Sequence, residues 1–531
     1  REGRERIQTV WFSFRVLREP FAFFASGLDD GSVEQSRPVT RACQNDRLLF
    51  HRTAMTHRAT KIVATLGPAS SDPALLEDMI RAGVNVVRLN FSHGTAADHI
   101  ERARLVRAAS ERAGREVAIM ADLQGPKIRV GKFEGGKVML EPGAAFVLDA
   151  ARKEPGDVGG VGLDYRELPR DVKAGDTLLL NDGLIVLTVT EVRGDAVHTV
   201  VKLGGELSNN KGINKQGGGL TAPALTGKDM EDIKTAMGFQ ADYVAVSFPK
   251  SATDMEMARQ LCTVAGTEHS HKPQLIAKIE RAEAIPRLTE ILAASDGIMV
   301  ARGDLAVEVG NAAVPALQKK MIRMARDADK LVITATQMME SMITNPVPTR
   351  AEVSDVANAV LDGTDAVMLS AETAAGKYPL ETVRQMAAVC EAAEEHDPVE
   401  LDADFSGATF TRIDQSIAMG ALFTAYHLGA KAIVALTDSG STALWMSRHR
   451  VRIPIYALTP RVSSQRKMAL YRNVRPMLMD TAADRDTALK QAEAYLKRQD
   501  VVAAGDVYAI TCGEPMGAPG GTNMLQICRV G

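Results

Sequence analysis

From Lys61 onward the chain repeats one pattern: a short apolar run, a polar turn, a segment with apolar residues at helical spacing, then the next apolar run. KIVATLG (61–67) precedes a helix through DPALLEDMIRAG. VNVVRLNFS (84–92) precedes one through AADHIERARLVRAASERAG, and EVAIMADLQG (116–125) is a third apolar run. After an interruption the pattern resumes with YVAVSFP (243–249), QLIAKIE (274–280), GIMVARGD (297–304), LVITATQM (331–338) and AVMLSAET (366–373), with helical segments between most pairs. Apolar runs of this kind suit strands buried on both faces of a parallel sheet. Eight of them with helical crossovers predict an α/β fold of the TIM (β/α)8 barrel type, over residues 56–125 and 224–395.

The interruption, residues 126–223, has another texture. FEGGKVML, KAGDTLLLNDGLIVLTV and VRGDAVHTVVKLGG are short Val- and Leu-rich runs broken by turn pairs, which predicts a small all-β domain. Inserted after the third barrel strand, it stands over the barrel mouth, where a lid is expected. Residues 396–531 read as a second α/β domain: KAIVALTDSGSTALWMSRHR is strand, loop and helix, and IPIYALTP and DVYAITCG are further strands. Residues 1–55 mix Arg with Phe and Trp at no clear period. They are expected to form a poorly packed N-terminal extension, with Met55 a candidate start and a targeting segment the other reading.

Composition narrows the class. The chain has 531 residues, 45% hydrophobic and 24% charged, which fits a soluble multidomain protein. A formal net charge of −3 provides no basic field for nucleic acid and no polybasic membrane patch, so an acidic substrate must be met by local cations and a metal. The five cysteines are scattered, without a Cys-x-x-Cys or a Cys/His cluster, which argues against zinc and disulfides and for a reducing compartment. No apolar run is long enough to span a membrane. Met338, Met339, Met342, Met255 and Met257 read as core.

In a TIM barrel the chemistry sits where the strands end. Those ends carry Arg88, Asn90 and Ser92 on the second strand, Asp122 on the third, Lys278 and Glu280 on the fifth, Arg302, Gly303 and Asp304 on the sixth, and Thr336 on the seventh. Buried charges are costly unless paired or metal-bound. Adjacent parallel strands lie about 4.8 Å apart, so Glu280 and Asp304 at one level can share a hard cation such as Mg²⁺. Lys278 lies two residues before Glu280, on the same face, where an ammonium suits a transferring phosphoryl group; Arg88 can fork onto phosphate oxygens. The same residues would also serve as ion pairs closing the barrel mouth. In the last domain, Ser439, Ser441 and Thr442 of LTDSGSTA can cradle a phosphate with backbone N–H groups, or simply cap a helix, and Asp438 would repel an anion.

The motifs ATKIVATLGPAS, VVRLNFSHG, DLQGPKIR, IAKIERAEAI, GIMVARGDLAVEVG, ITATQMMESM and TRAEVSDVANAVLDGTDAVMLSAETAAGKYP occur in one order from about Met55 onward, and the chain closely resembles the pyruvate kinase family. The resemblance implies phosphoryl transfer from phosphoenolpyruvate to ADP, giving pyruvate and ATP, in the cytoplasm. It implies Glu280 and Asp304 as Mg²⁺ ligands, Lys278 as the group that stabilises the transition state and Arg88 as the phosphate contact. The backbone at Gly303 and Asp304 is expected to receive the substrate carboxylate, helped by a short helix opened by LAVEV. Thr336 is expected near the enolate carbon, acting with a water relay. Asn90, Ser92, Asp122 and the Leu123 carbonyl resemble the family's K⁺ site. However, Lys127 stands where K⁺-dependent members carry Glu, so the chain resembles the K⁺-independent branch, and Lys127 is expected to replace the cation's charge. For the nucleotide the family suggests His93, Arg129, Lys211 and Asp182, with Asn90 nearby; His93 can equally cap a helix and Asp182 is a natural turn residue. The loop with Thr437, Ser439, Ser441 and Thr442 corresponds to one that binds phosphorylated effectors, and the family suggests a homotetramer. Two other classes stay open: a lyase or aldolase working through a pyruvate enolate, which has no need of Lys278 or a lid, and a non-catalytic effector-binding protein.

Overall fold

The computed structural model describes residues 58–396, 401, 409–480, 484–517 and 520–531, so the expectation for residues 1–55 lies outside the described residues. The chain first lays down β1 (Lys61–Thr65), β2 (Val86–Asn90) and β3 (Ala118–Asp122). It then leaves for β4 (Lys137–Leu140), β5 (Ala145–Asp149), β6 (Gly160–Gly162), β7 (Thr177–Leu180), β8 (Ile185–Arg193), β9 (Ala196–Leu203), β10 (Gly205–Ser208) and β11 (Ile213–Lys215). It returns for β12 (Tyr243–Val246), β13 (Gln274–Ile279), β14 (Gly297–Ala301), β15 (Leu331–Ala335) and β16 (Ala366–Leu369). Strands β1–β3 and β12–β16 close into one barrel in sequence order, all parallel, with β1 against β16 and β3 directly against β12 across the excursion. The TIM barrel read from the apolar pattern is thus the observed fold.

Local chemistry marks the crossover helices. Asp72 caps Pro73–Ala82 by accepting from the Ala74 and Leu75 N–H groups, at 3.0 and 2.8 Å. Thr95 with Asp98, Thr226 with Asp229, and Thr349 with Glu352 form reciprocal capping boxes at three further helix starts. Strand residues then sort by parity. Ile62, Ala64, Val87, Ile119, Val244, Ala277, Val300 and Val332 face the surrounding helices. Val63, Val86, Met120, Tyr243, Ile276, Met299 and Ile333 fill the lumen, in one cluster with Met468 and Tyr471 of the C-terminal region. The barrel is therefore plugged from below, and Tyr243 Oη donates to the Lys467 carbonyl.

The excursion carries a six-stranded sheet, β11-β7-β8-β9-β5-β6, with β4 and β10 paired beside it, around its own apolar core. The C-terminal region has a five-stranded sheet, β19-β18-β17-β20-β21, built from β17 (Ala432–Leu436), β18 (Ile455–Thr459), β19 (Val474–Leu478), β20 (Val507–Gly513) and β21 (Thr522–Arg529). The pattern reading found β17, β18 and β20, which are largely buried, and missed the two edge strands. β19 carries Pro476 and is half exposed; β21 runs antiparallel to β20 and is mostly exposed. Met255, Met338, Met339 and Met342 are core as expected, whereas Met257 is 48% exposed and is corrected to a surface residue. Among the described residues no helix is long and apolar enough to cross a membrane.

Candidate active site

Parity decides what stands at the barrel mouth. Continuing the lumen-facing series Val63, Val86, Met120, Tyr243/Ala245 and Ile276 by one step brings Thr65, Arg88, Asp122, Ser247 and Lys278 to the top layer. These residues form one network. Arg88 Nε donates to Asp122 Oδ2 at 2.5 Å and Arg88 Nη1 to Thr65 Oγ1 at 3.1 Å. Lys278 Nζ lies 3.2 Å from Asp122 Oδ1 and 2.9 Å from Glu280 Oε1, and donates to Ser247 Oγ at 2.7 Å. Ser247 donates in turn to the Leu123 carbonyl at 2.7 Å. The other oxygen of Glu280 accepts the Phe248 N–H at 2.9 Å.

Burial sets the electrostatics. Burial alone would lower the Lys278 ammonium, but Asp122 and Glu280 outweigh it and hold its pKa above the usual lysine value. Burial likewise works to raise Asp122, and Arg88 with Lys278 bring it below the ordinary range. Glu280 is pushed up to about 7 by burial, with Lys278 opposing and the Asp304 charge adding to the rise. Glu280, buried and feeling the Asp304 charge, and Asp304, about a quarter exposed, are a donor pair suited to a hard divalent cation with remaining positions for water and phosphate. Two carboxylates give oxygen donors only, which suits Mg²⁺ better than the nitrogen and sulfur ligands that zinc favours.

The sixth strand corrects one expectation. The helix after β14 spans Arg302–Val309, starting at Arg302 rather than at Leu305, so Gly303 and Asp304 lie in its first turn. Both are turn-formers, and an acid in the first helical turn is also favoured by the free N–H groups there. The Gly303 N–H donates to Thr336 Oγ1 at 2.8 Å, and Thr336 Oγ1 donates to the Ala335 carbonyl at 2.6 Å. Thr336 has φ +69°, a strained value for a β-branched residue. Arg302 braces that turn, donating to the Thr336 carbonyl at 2.6 Å while its other arm reaches Asp355 at 2.7 Å. Lys127 Nζ stands 3.6 Å from Asp304 Oδ1.

Gly303, Asp304, Thr336 and Lys127 share a cleft of about 610 Å³ with Asp182, Gly183 and Gln216 of the inserted sheet. Other expected residues are engaged nearby. Asn90 Oδ1 accepts the Ser92 N–H at 3.1 Å, and the exposed His93 donates its N–H to the Asn90 carbonyl at 3.2 Å. Arg129 and Lys211 lie on the neck of the insert: Arg129 Nη1 donates to the Asn210 carbonyl at 3.1 Å, and the Lys211 carbonyl accepts the Val130 N–H at 2.9 Å. Asp182 is exposed with φ +56°, a tight-turn position.

Two family models match the chain: "Pyruvate kinase, barrel domain" over residues 57–383 and "Pyruvate kinase, alpha/beta domain" over 415–528. The chain belongs to the pyruvate kinase family. It is 51% identical over 478 residues to pyruvate kinase II of Salmonella typhimurium, covering 89% of this chain and 99% of that protein. It is 49% identical over 477 residues to a Haemophilus influenzae pyruvate kinase, covering 89% and 98%. It is 41% identical over 478 residues to one from Staphylococcus saprophyticus, covering 89% and 81%.

Within the pyruvate kinase barrel, the pattern reading missed Ser247, Thr65 and Glu372. Applied to the first, fourth and eighth strands, the strand-end rule would have found them: Thr65 ends β1, Ser247 follows β12, and Glu372 follows β16, accepting the Ser370 and Met339 N–H groups at 2.6 and 3.2 Å. In the C-terminal region, Thr437, Ser439, Ser441 and Thr442 do line one cleft, of about 290 Å³. Thr437 Oγ1 accepts the Gly440 N–H at 3.0 Å, and Thr442 Oγ1 is buried against Thr522 Oγ1 at 2.9 Å. Asp438, expected to repel an anion there, is paired with Arg461 at 2.6 Å.

Proposed function

We propose that the chain is a Mg²⁺-dependent pyruvate kinase, moving the phosphoryl group of phosphoenolpyruvate to ADP to give pyruvate and ATP. Family membership supports the reaction. The observation that carries the residue assignment is the buried Lys278 ammonium, gripped by Asp122, Glu280 and Ser247 and kept protonated by the two carboxylates. Phosphoryl transfer demands little covalent chemistry from a protein; it demands fixed positive charge where the equatorial oxygens develop negative charge. Lys278 supplies that charge without reorganising, because its three partners already fix it. Arg88, with Nε and Nη1 engaged, turns its remaining donors to the phosphate. The Gly303 N–H, satisfied here by Thr336, exchanges that acceptor for the substrate carboxylate and leaves the Thr336 hydroxyl to a water relay at the enolate carbon. Glu280 and Asp304 would hold the Mg²⁺, which when bound neutralises phosphoryl and enolate oxygens.

We further propose that residues 126–223 act as a lid over the 610 Å³ cleft, with Asp182, Arg129, Lys211, His93 and Asn90 toward the nucleotide. Monovalent cation is dispensable in this reading, because Lys127 beside Asp304 brings its own charge to the cleft. Asn90, Ser92, Asp122 and the Leu123 carbonyl would otherwise form that cation site. The loop with Thr437, Ser439, Ser441 and Thr442 is assigned to a phosphorylated effector, and the assembly to a cytoplasmic homotetramer. The test is a lactate dehydrogenase-coupled assay with phosphoenolpyruvate, ADP and Mg²⁺, together with ATP measured directly. Equal yields of pyruvate and ATP are expected. Pyruvate without ATP would mean that the phosphoryl group passes to water and would refute transfer to ADP, and no turnover would leave the enolate lyase and the effector-binding protein.

A further inference from the structure

The inserted sheet returns to the barrel through Gln216-Gly217-Gly218-Gly219, whose glycines have φ of +80°, +81° and +93°. Three consecutive left-handed residues turn successive N–H groups outward, and each has a different acceptor. Gly217 donates to the Glu308 carbonyl at 3.1 Å, Gly218 to Lys215 within the insert at 3.0 Å, and Gly219 to the Glu283 carboxylate. A Cβ on Gly218 would overlap that same carboxylate, so a side chain there would push Glu283 aside, and the φ itself favours glycine. Glu308 Oε2 then accepts the Ala282 N–H at 2.8 Å, tying the two acceptor segments together. The next residues of the return are held as well: Arg281 Nη1 donates to the Leu220 carbonyl at 3.1 Å and Lys250 Nζ to that of Ala222 at 3.0 Å.

Position in the chain gives this knot its meaning. Glu283 lies three residues after Glu280, and Glu308 one helical turn after Asp304 on Arg302–Val309. The insert's return is thus bolted to the two segments that carry the proposed Mg²⁺ ligands, with Lys250 holding its next residues. We infer that Glu283 is a positioning residue that couples the angle of the insert to the nucleotide half of the cleft, acting through the Gly219 N–H rather than by touching substrate. The inference rests on the functional reading above. Its mechanical part stands apart from it, because swinging the insert must break the Gly219–Glu283 and Gly217–Glu308 bonds while the Gly218–Lys215 bond travels with the insert.

That difference supplies the experiment. In Glu283→Ala, hydrogen exchange read at single-amide resolution is expected to accelerate about tenfold or more at Gly219, with Gly218 and the barrel strands unchanged. In the coupled assay, kcat/KM for ADP is expected to fall about tenfold, with KM for phosphoenolpyruvate within about twofold of the parent. Glu283→Gln, which keeps an acceptor oxygen at the same reach, is expected to recover most of both. Unchanged exchange at Gly219 overturns the inference, as does equal acceleration at Gly218, which would mark general loosening. Equal losses toward both substrates overturn it too, since they would mean damage to Glu280. A parent inactive with these substrates refutes the functional reading instead, and the exchange arm still decides whether Glu283 holds the hinge.

Discussion

Replacing Lys278 with Met removes one positive charge from a buried cluster while nearly keeping the side-chain volume. Two quantities follow. For catalysis, loss of one preorganised donor at developing charge costs roughly 10²- to 10³-fold in kcat, and loss of a full cation at a phosphoryl oxygen should reach at least about 10³-fold. For stability, removing one partner of a buried ion pair costs roughly 3–5 kcal/mol. Here the cost should lie at the lower end for two reasons. Asp122 keeps Arg88 at 2.5 Å. Glu280 already sits at about 7 with Lys278 opposing the rise, so without the ammonium it takes up a proton at neutral pH instead of remaining an unpaired anion. A loss of about 3 kcal/mol lowers the melting temperature by several degrees without unfolding the chain at assay temperature. The assays are the coupled turnover measurement, phosphoenolpyruvate binding by isothermal titration in the presence of Mg²⁺, and a thermal melt. The expected result is kcat down at least about 10³-fold with binding within about tenfold. A folded Lys278→Met protein that keeps more than about a tenth of parental kcat refutes the role given to the ammonium.

Turnover in tetramethylammonium buffer free of K⁺ and NH₄⁺ is expected to stay within about twofold of that in K⁺, and Lys127→Glu to make activity K⁺-dependent; strong K⁺ activation of the parent defeats the assignment of Lys127. Lys61, buried with Nζ 2.7 Å from the Val474 carbonyl, is held at about 7 by burial and by Arg58, Arg475 and Arg115, against 10.5 unperturbed. Its folded pKa is the lower one, so the unfolded chain binds the extra proton between about pH 7 and 10.5 and stability falls as pH falls through that window. Lys61→Met should remove a slope of up to about 1.4 kcal/mol per pH unit from denaturant stability measured between pH 7.5 and 9.5; parallel curves for the two proteins count against it. Asp365 receives both arms of Arg448, one at 2.8 Å, where the C-terminal region meets the base of the barrel. Asp365→Ala should cost roughly 3–5 kcal/mol, and Asp365→Leu with Arg448→Met clearly less; equal losses in calorimetry would show that packing, not the uncompensated charge, decides.

The sequence was most informative where one physical rule governs a residue. The strand-end rule was enough to bring Arg88, Asp122, Lys278 and Glu280 to the barrel mouth, because any charge at a lumen position needs partners from other strands. Ser247 obeys the same rule and was missed, since Ser before Phe-Pro also reads as a turn. The start of Arg302–Val309 was placed three residues late because Gly303 and Asp304 suit a turn and a first helical turn equally. Strands β19 and β21 were illegible for the reason edge strands usually are: half their surface meets water, so their sequences lack a buried signature. Partnerships across long separations, such as Asp438 with Arg461, carry no local signal at all.

The position of the charges follows from the packing beneath them. Below the top layer the lumen is filled by Tyr243, Met120, Met299 and Ile276, and closed further down by Met468 and Tyr471. A cation one layer lower would meet only methyl groups, thioethers and rings, and burial would drive off its proton. At the top layer the same burial acts on Lys278, but two carboxylates and a hydroxyl reach it from neighbouring strands, and the balance reverses. Glu280 is subject to the opposite pull, held up toward neutrality by burial and by Asp304 and held down by Lys278. Lys278 keeps its charge because Asp122 and Glu280 are there, and Lys278 in turn limits the rise of Glu280 to about 7. The cluster sits one layer from solvent, deep enough for its fields to be strong and shallow enough for the charge of Asp304, on a helix rather than a strand, to be felt at Glu280.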